Sequence, residues 1–132
     1  MFREVFGMSY SFFSTLSRLK YINRWGLMNN TRNENLSEHS LEVAFIAHAL
    51  CIIKNKRFGG SIDADKVAVY AMFHDCTEII TGDLPTPIKY SSKKLREAYK
   101  AVEEEAGERL LSTLPDDLRE EYEKYFVVQD GD

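Results

Sequence analysis

Apolar side chains recur at helical spacing along most of the chain, and the two-residue alternation of a half-buried strand persists nowhere. Phe12, Phe13, Leu16 and Leu19 share one face, which predicts a first helix with Ser11 as its cap and an end near Lys20. Residues 21–33 lose that period and read as loop. Asn35-Leu-Ser-Glu38 then supplies a short polar cap with an acid three residues later, a helix-start signature. The helix it opens spreads Leu41, Ala44, Phe45, Ala47 and Ile52 over a wide arc, which predicts a central position. Basic residues from Lys54 to Arg57, with Gly59 and Gly60 beyond, end it.

Asp63 is expected to cap a third helix, Ala64 to His74, whose almost continuously apolar run from Val67 to Phe73 predicts burial. Gly82, Pro85 and Pro87 break the chain after Glu78-Ile79-Ile80 and make 81–87 a shaped loop. Ser91 or Ser92 starts a helix striped with Leu95, Tyr99, Val102, Ala106 and Leu110, its acid run at Glu103 to Glu105 reading as a solvated face. Pro115-Asp116-Asp117 opens a last helix bearing Leu118, Tyr122, Tyr125 and Phe126. The fold class expected is all-α, with residues 1–132 as one domain.

Composition narrows the function. With 132 residues, 44% hydrophobic and 29% charged, the chain reads as soluble and globular. A net charge of -4 offers no general attraction to a nucleic acid polymer or an anionic membrane, so an anionic ligand needs a local cation. Cys51 and Cys76 fit neither a disulfide framework nor a Cys-rich zinc site and read as reduced thiols of a cytoplasmic protein. The start, Met1 to Gly7, has no apolar core of a signal peptide, and the longest nearly apolar run, Val43 to Ile53, is interrupted by His48. Neither export nor a membrane span is expected.

The candidate chemistry concentrates between Ala71 and Pro87. His74 and Asp75 are neighbours, about 100° apart around a helix, so one ion can touch both only over the edge between them. Glu78, four residues after His74 and three after Asp75, is expected on the same helical face. Two ligands with a carboxylate one turn away form a hydrolytic unit in which the ion acidifies water and the carboxylate moves its proton. By itself a His-Asp pair is a weak signal, often a solvated polar pair at a helix end. His39 and His48 lie nine residues apart, about 13 Å along a helix, so only one can join such a site, and His48 reads more readily as a core histidine. Arg24 beside Trp25 reads either as a solvated arginine next to a core-capping indole, or as a phosphate clamp with a wall for a ring or sugar.

Four stretches taken together carry a resemblance: Leu16 to Trp25, Glu34 to Leu41, Phe73 to Glu78 and Thr81 to Pro87. On these the chain resembles the bacterial 5′-deoxynucleotidases of the HD-domain phosphohydrolases, and the likeness extends more weakly through Phe58 to Gly60 and Leu114 to Arg119. The resemblance implies an HD-domain helical bundle and a homodimer. It implies metal-dependent removal of the 5′-phosphate from deoxyribonucleoside 5′-monophosphates. His39, His74 and Asp75 would be metal ligands and Glu78 the general acid/base. Arg24 would hold phosphate, Trp25 would press on the sugar, and Asp83 with Thr86 would bind the sugar's hydroxyl side. Mixed His and carboxylate ligation suits cobalt, manganese, zinc or nickel.

One departure stands out. The family takes a further metal-binding Asp from a helix downstream of the region matching Leu118, and the chain ends before reaching it; Asp130 and Asp132 lie in a different context. The expectation is a C-terminally short version that self-associates through the apolar face those helices would cover. The alternatives are a weakly active or inactive HD module for nucleotide binding or oligomerisation, and an HD phosphodiesterase acting on another nucleotide.

Overall fold

Helix starts follow the caps that the sequence supplies. In this computed structural model, which describes residues 11–24, 32–82 and 91–126, the elements are α1 (Phe12–Leu16), a 3-10 helix (Ser17–Tyr21), α2 (Leu36–Arg57), α3 (Ala64–Phe73), α4 (Glu78–Thr81), α5 (Lys93–Leu111) and α6 (Asp116–Phe126). Among the described residues the extended structure is a single bridge, antiparallel, between Asn23 and Asn35. At the head of α2 the Glu38 N–H donates to Asn35 Oδ1 at 2.9 Å and the Glu38 carboxylate accepts from the Asn35 N–H, a reciprocal capping box. Asp63 caps α3 through the Lys66 N–H, and Ser92, rather than Ser91, caps α5 through the Leu95 N–H.

The first helix departs from expectation. Ser11 makes no side-chain cap, and α1 tightens after one turn into the 3-10 helix, where three residues per turn replace 3.6. Phe12 and Leu19 are nevertheless buried.

The core gathers Phe12, Leu19, Leu36, Cys76, Leu110, Leu111 and Leu114, with Phe73, Ile79, Leu118, Tyr122 and Phe126 packed against them. Rings supply much of its far side: Phe12 meets Tyr122 at 5.0 Å between centroids, and Phe73 stacks on Tyr125 at 5.2 Å. The core therefore sits where α1, α5 and α6 enclose the turn after α3.

Burial of α2 and α3 falls short of what their composition predicts. Along α2 only Leu36, Ser40, Ala44 and Cys51 are buried, while Phe45 is 66% exposed, Ile46 60% and Leu50 61%. In α3 Ala64 alone is buried and Met72 is exposed. Likewise Leu95 and Val102 are exposed, so the stripe of α5 is covered only toward its C-terminal end at Ala106 and Leu110. A pattern marks a face as apolar; whether another element lies over it is decided elsewhere in the fold. By length and composition α2 also meets the requirement for crossing a membrane despite His48, with 22% of its most apolar stretch buried.

Candidate metal centre

Three side chains from two elements converge. His39 comes from the first turns of α2, fixed by the capping box four residues before it. His74 and Asp75 follow the last residue of α3, where the chain turns sharply toward α4. One ligand atom from each of the three lies within 4.8 Å of the others. The pairs meet on one oxygen: His39 Nε2 is 3.3 Å and His74 Nε2 3.2 Å from Asp75 Oδ2.

Hydrogen bonding at the other ring nitrogen fixes what the cluster can do. His74 Nδ1 lies 2.8 Å from the Ala71 carbonyl oxygen, which only accepts, so Nδ1 carries the ring proton. Nε2 then faces a carboxylate oxygen at 3.2 Å, a place for a positive charge, carried by a proton on the ring or by a metal ion. Backbone orientation of the histidine from behind is the usual second layer of a metal ligand. His39 is kept short of protons, chiefly by burial and next by the positive charge of Arg24, so its imidazole favours the neutral form that binds metal. The donor set of two imidazoles and one carboxylate thus fits a divalent ion.

The helix does not run through to Glu78 as the spacing predicts. It ends at Phe73, and i to i+3 bonds from Cys76 N–H to Phe73 O, Glu78 N–H to Asp75 O and Ile79 N–H to Cys76 O wind residues 74–78 more tightly. At three residues per turn, Asp75 and Glu78 eclipse one another. Glu78 stands at the start of α4 and is 3% exposed. Gly82 ends α4 with a φ of 76°, a left-handed backbone that glycine adopts without strain.

Arg24 is held on the same side of the fold. Its N–H donates to the Glu34 carbonyl at 2.7 Å and its Nη1 to Glu34 Oε2 at 2.7 Å. That hydrogen bond from Arg24 holds the Glu34 carboxyl below the usual range. Glu34 carried no signal in the sequence beyond its place in a matching stretch, because its partner lies ten residues away across a loop. The solvated reading of Arg24 is thus replaced by a half-buried ion pair.

Trp25, Asp83 and Thr86, together with Asp130 and Asp132, lie outside the described residues. Of the two histidines that the spacing keeps apart, His48 is the one left out of the cluster, but it is no core histidine: it pairs with Asp65 of α3 at 3.2 Å. Cys51 and Cys76 are buried free thiols. Burial, and next the charge of Asp75, pushes the Cys76 thiol up to about 12, so it stays protonated beside the cluster. A cleft of about 480 Å³ opens beside His74, lined among others by Thr77, Lys100, Glu103 and Phe126. The acid-rich side of α5 thus forms one wall of a cleft, which its sequence did not signal.

Comparison with known proteins finds relatives of this chain and of its fold. A family profile described as 5′-deoxynucleotidase YfbR-like matches residues 11–132. A 5′-deoxynucleotidase of Photorhabdus laumondii is 50% identical over 132 residues, covering 92% of this chain and 67% of that protein. One of Klebsiella pneumoniae is 54% identical over 112 residues, covering 85% of this chain and 56% of that protein. The crystal structure of an HD-domain phosphohydrolase from Listeria innocua superposes with a TM-score of 0.78 at 27% identity, covering 88% of this chain and 55% of that one. The chain therefore spans between about half and two thirds of the length of the proteins it matches.

Proposed function

The chain belongs to the 5′-deoxynucleotidase YfbR-like family, and from that premise we propose that it is a metal-dependent phosphohydrolase releasing the 5′-phosphate of deoxyribonucleoside 5′-monophosphates. The observation that carries this reading is the convergence of His39 Nε2 and His74 Nε2 on Asp75 Oδ2, at 3.3 and 3.2 Å. His39, His74 and Asp75 hold a divalent ion, of the cobalt, manganese, zinc or nickel type. When bound, the ion supplies Lewis acidity to the phosphoryl group and to a water.

The chain's own residues do the rest. Arg24 neutralises and orients the phosphate, the local cation that a protein of net charge -4 requires. Glu78, one tight turn beyond Asp75 and screened from solvent, takes the proton of the attacking water and returns one to the leaving 5′-oxygen. Trp25, Asp83 and Thr86 contact the sugar, where crowding at the 2′ position selects deoxyribose.

Self-association belongs to the same reading. The exposed row Leu41, Phe45, Ile46, Leu50 and Ile53 on α2 is a larger apolar surface than a lone domain in water tolerates cheaply, and a second copy of the chain, in the cytoplasm, covers it.

The test is phosphate release from a deoxyribonucleoside 5′-monophosphate and its ribose counterpart, using metal-stripped protein with cobalt or manganese added. Metal-dependent release favouring the deoxy substrate supports the reading. Release from a cyclic or polyphosphorylated nucleotide in preference to both would replace it.

A further inference from the structure

Arg24 is tied down twice by the same residue. The chain on either side forms an antiparallel bridge, Asn23 to Asn35, closed by the Arg24 N–H to Glu34 O bond at 2.7 Å and the Leu36 N–H to Ile22 O bond at 2.9 Å. The side chains then meet again, Arg24 Nη1 to Glu34 Oε2 at 2.7 Å, with each 21% exposed. Glu34 is itself anchored, since α2 begins two residues later with its reciprocal cap and His39 follows within two turns. A rigid path of short range therefore runs from the His39 end of the metal cluster to the guanidinium. The positive charge of Arg24 is felt at His39, which it discourages from protonating.

A loose arginine side chain has rotamer entropy that a ligand must otherwise freeze. A guanidinium carries five N–H donors in a rigid planar fork, so pairing one nitrogen with Glu34 sets the direction of the whole group. The negative charge of Glu34 works against a phosphate, which leaves geometry as its useful contribution.

We propose that Glu34 is a positioning residue for phosphate recognition, acting through Arg24 by accepting from Nη1 and so presenting the guanidinium beside the His39, His74 and Asp75 cluster. This rests on the reading of Arg24 as the phosphate-binding group. An acceptor at the Glu34 position is required and its charge is not.

Steady-state kinetics with dAMP in the presence of manganese test this on Arg24→Ala, Glu34→Ala, Glu34→Gln and the double variant. Glu34→Ala is expected to raise KM about tenfold with kcat within about threefold. Glu34→Gln, which keeps an acceptor oxygen in place, stays within about threefold of wild type in KM. Arg24→Ala with Glu34→Ala is no worse than Arg24→Ala alone, because Glu34 acts only through Arg24. An unchanged KM in Glu34→Ala, or effects that multiply in the double variant, overturns the proposal. Should Glu34→Ala fail to fold, Glu34→Asp replaces it: the shorter side chain withdraws the acceptor and raises KM, and a wild-type KM overturns the proposal. A wild type that hydrolyses no dAMP sinks the deoxynucleotidase reading instead. Calorimetry with inorganic phosphate then decides on the same variants: weaker binding in Glu34→Ala than in wild type upholds the positioning role, while equal binding, or none by wild type, overturns it.

Discussion

His74 and Asp75, adjacent in sequence, face each other through Nε2 and Oδ2 at 3.2 Å while the other ring nitrogen of His74 donates to the Ala71 carbonyl at 2.8 Å. Neighbouring side chains on a helix ordinarily diverge by about 100°. The tighter turn after Phe73 widens that angle to about 120°, so the two meet only at the ends of their side chains, over the edge between them.

That contact asks for a cation, and metal should supply it. Manganese or cobalt at about a hundredfold over its dissociation constant contributes about 2.7 kcal/mol, seen as a rise of roughly 5–10 °C in the melting temperature of metal-stripped protein. Scanning calorimetry is the measurement, and Asp75→Ala is expected to abolish the shift. A wild-type melting temperature indifferent to every transition metal tried would count against the site.

Glu78 is the proton carrier of the proposed reaction rather than a metal ligand. Glu78→Gln keeps the volume of a 3% exposed side chain and removes its basicity. Activity is expected to fall by about 10²–10⁴ with the metal-induced melting shift intact. Loss of the shift in the same variant would reassign Glu78 to the metal.

Acid should weaken the metal-free protein in a definite window. The folded state holds His39 below its ordinary value of 6.5, chiefly through burial. The unfolded chain therefore takes up a proton that the folded chain refuses, and stability present above 6.5 is lost as pH falls below it. Glu34, held below 4.5 by Arg24, adds a loss in a separate window at lower pH. Urea midpoints between pH 7.5 and 5 are expected to decline in wild type and to stay flatter in His39→Gln; identical slopes would remove His39 as the cause.

Self-association should respond to charge on the outer face of α2. Phe45 is 66% exposed, so Phe45→Glu costs the fold little, within about 0.5 kcal/mol. In a paired face the same charge is left buried, and sedimentation at micromolar concentration is expected to shift from dimer to monomer. A wild type that sediments as a monomer removes the premise.

The sequence by itself determined the all-α architecture and where α2, α3 and α5 begin and α4 ends, because caps at Asn35, Asp63 and Ser92 and the breaker at Gly82 act on bonds only three or four residues long. It also put forward His39, His74 and Asp75 together, though only through resemblance to a family; spacing alone left the choice between His39 and His48 open. Tertiary structure decided what depends on partners distant in the chain. It brought His39 across to Asp75, paired His48 with Asp65, and bound Arg24 to Glu34 through a bridge that no periodicity announces. It likewise left Phe45, Ile46 and Leu50 uncovered, since an apolar pattern records that a face avoids water but not what lies against it.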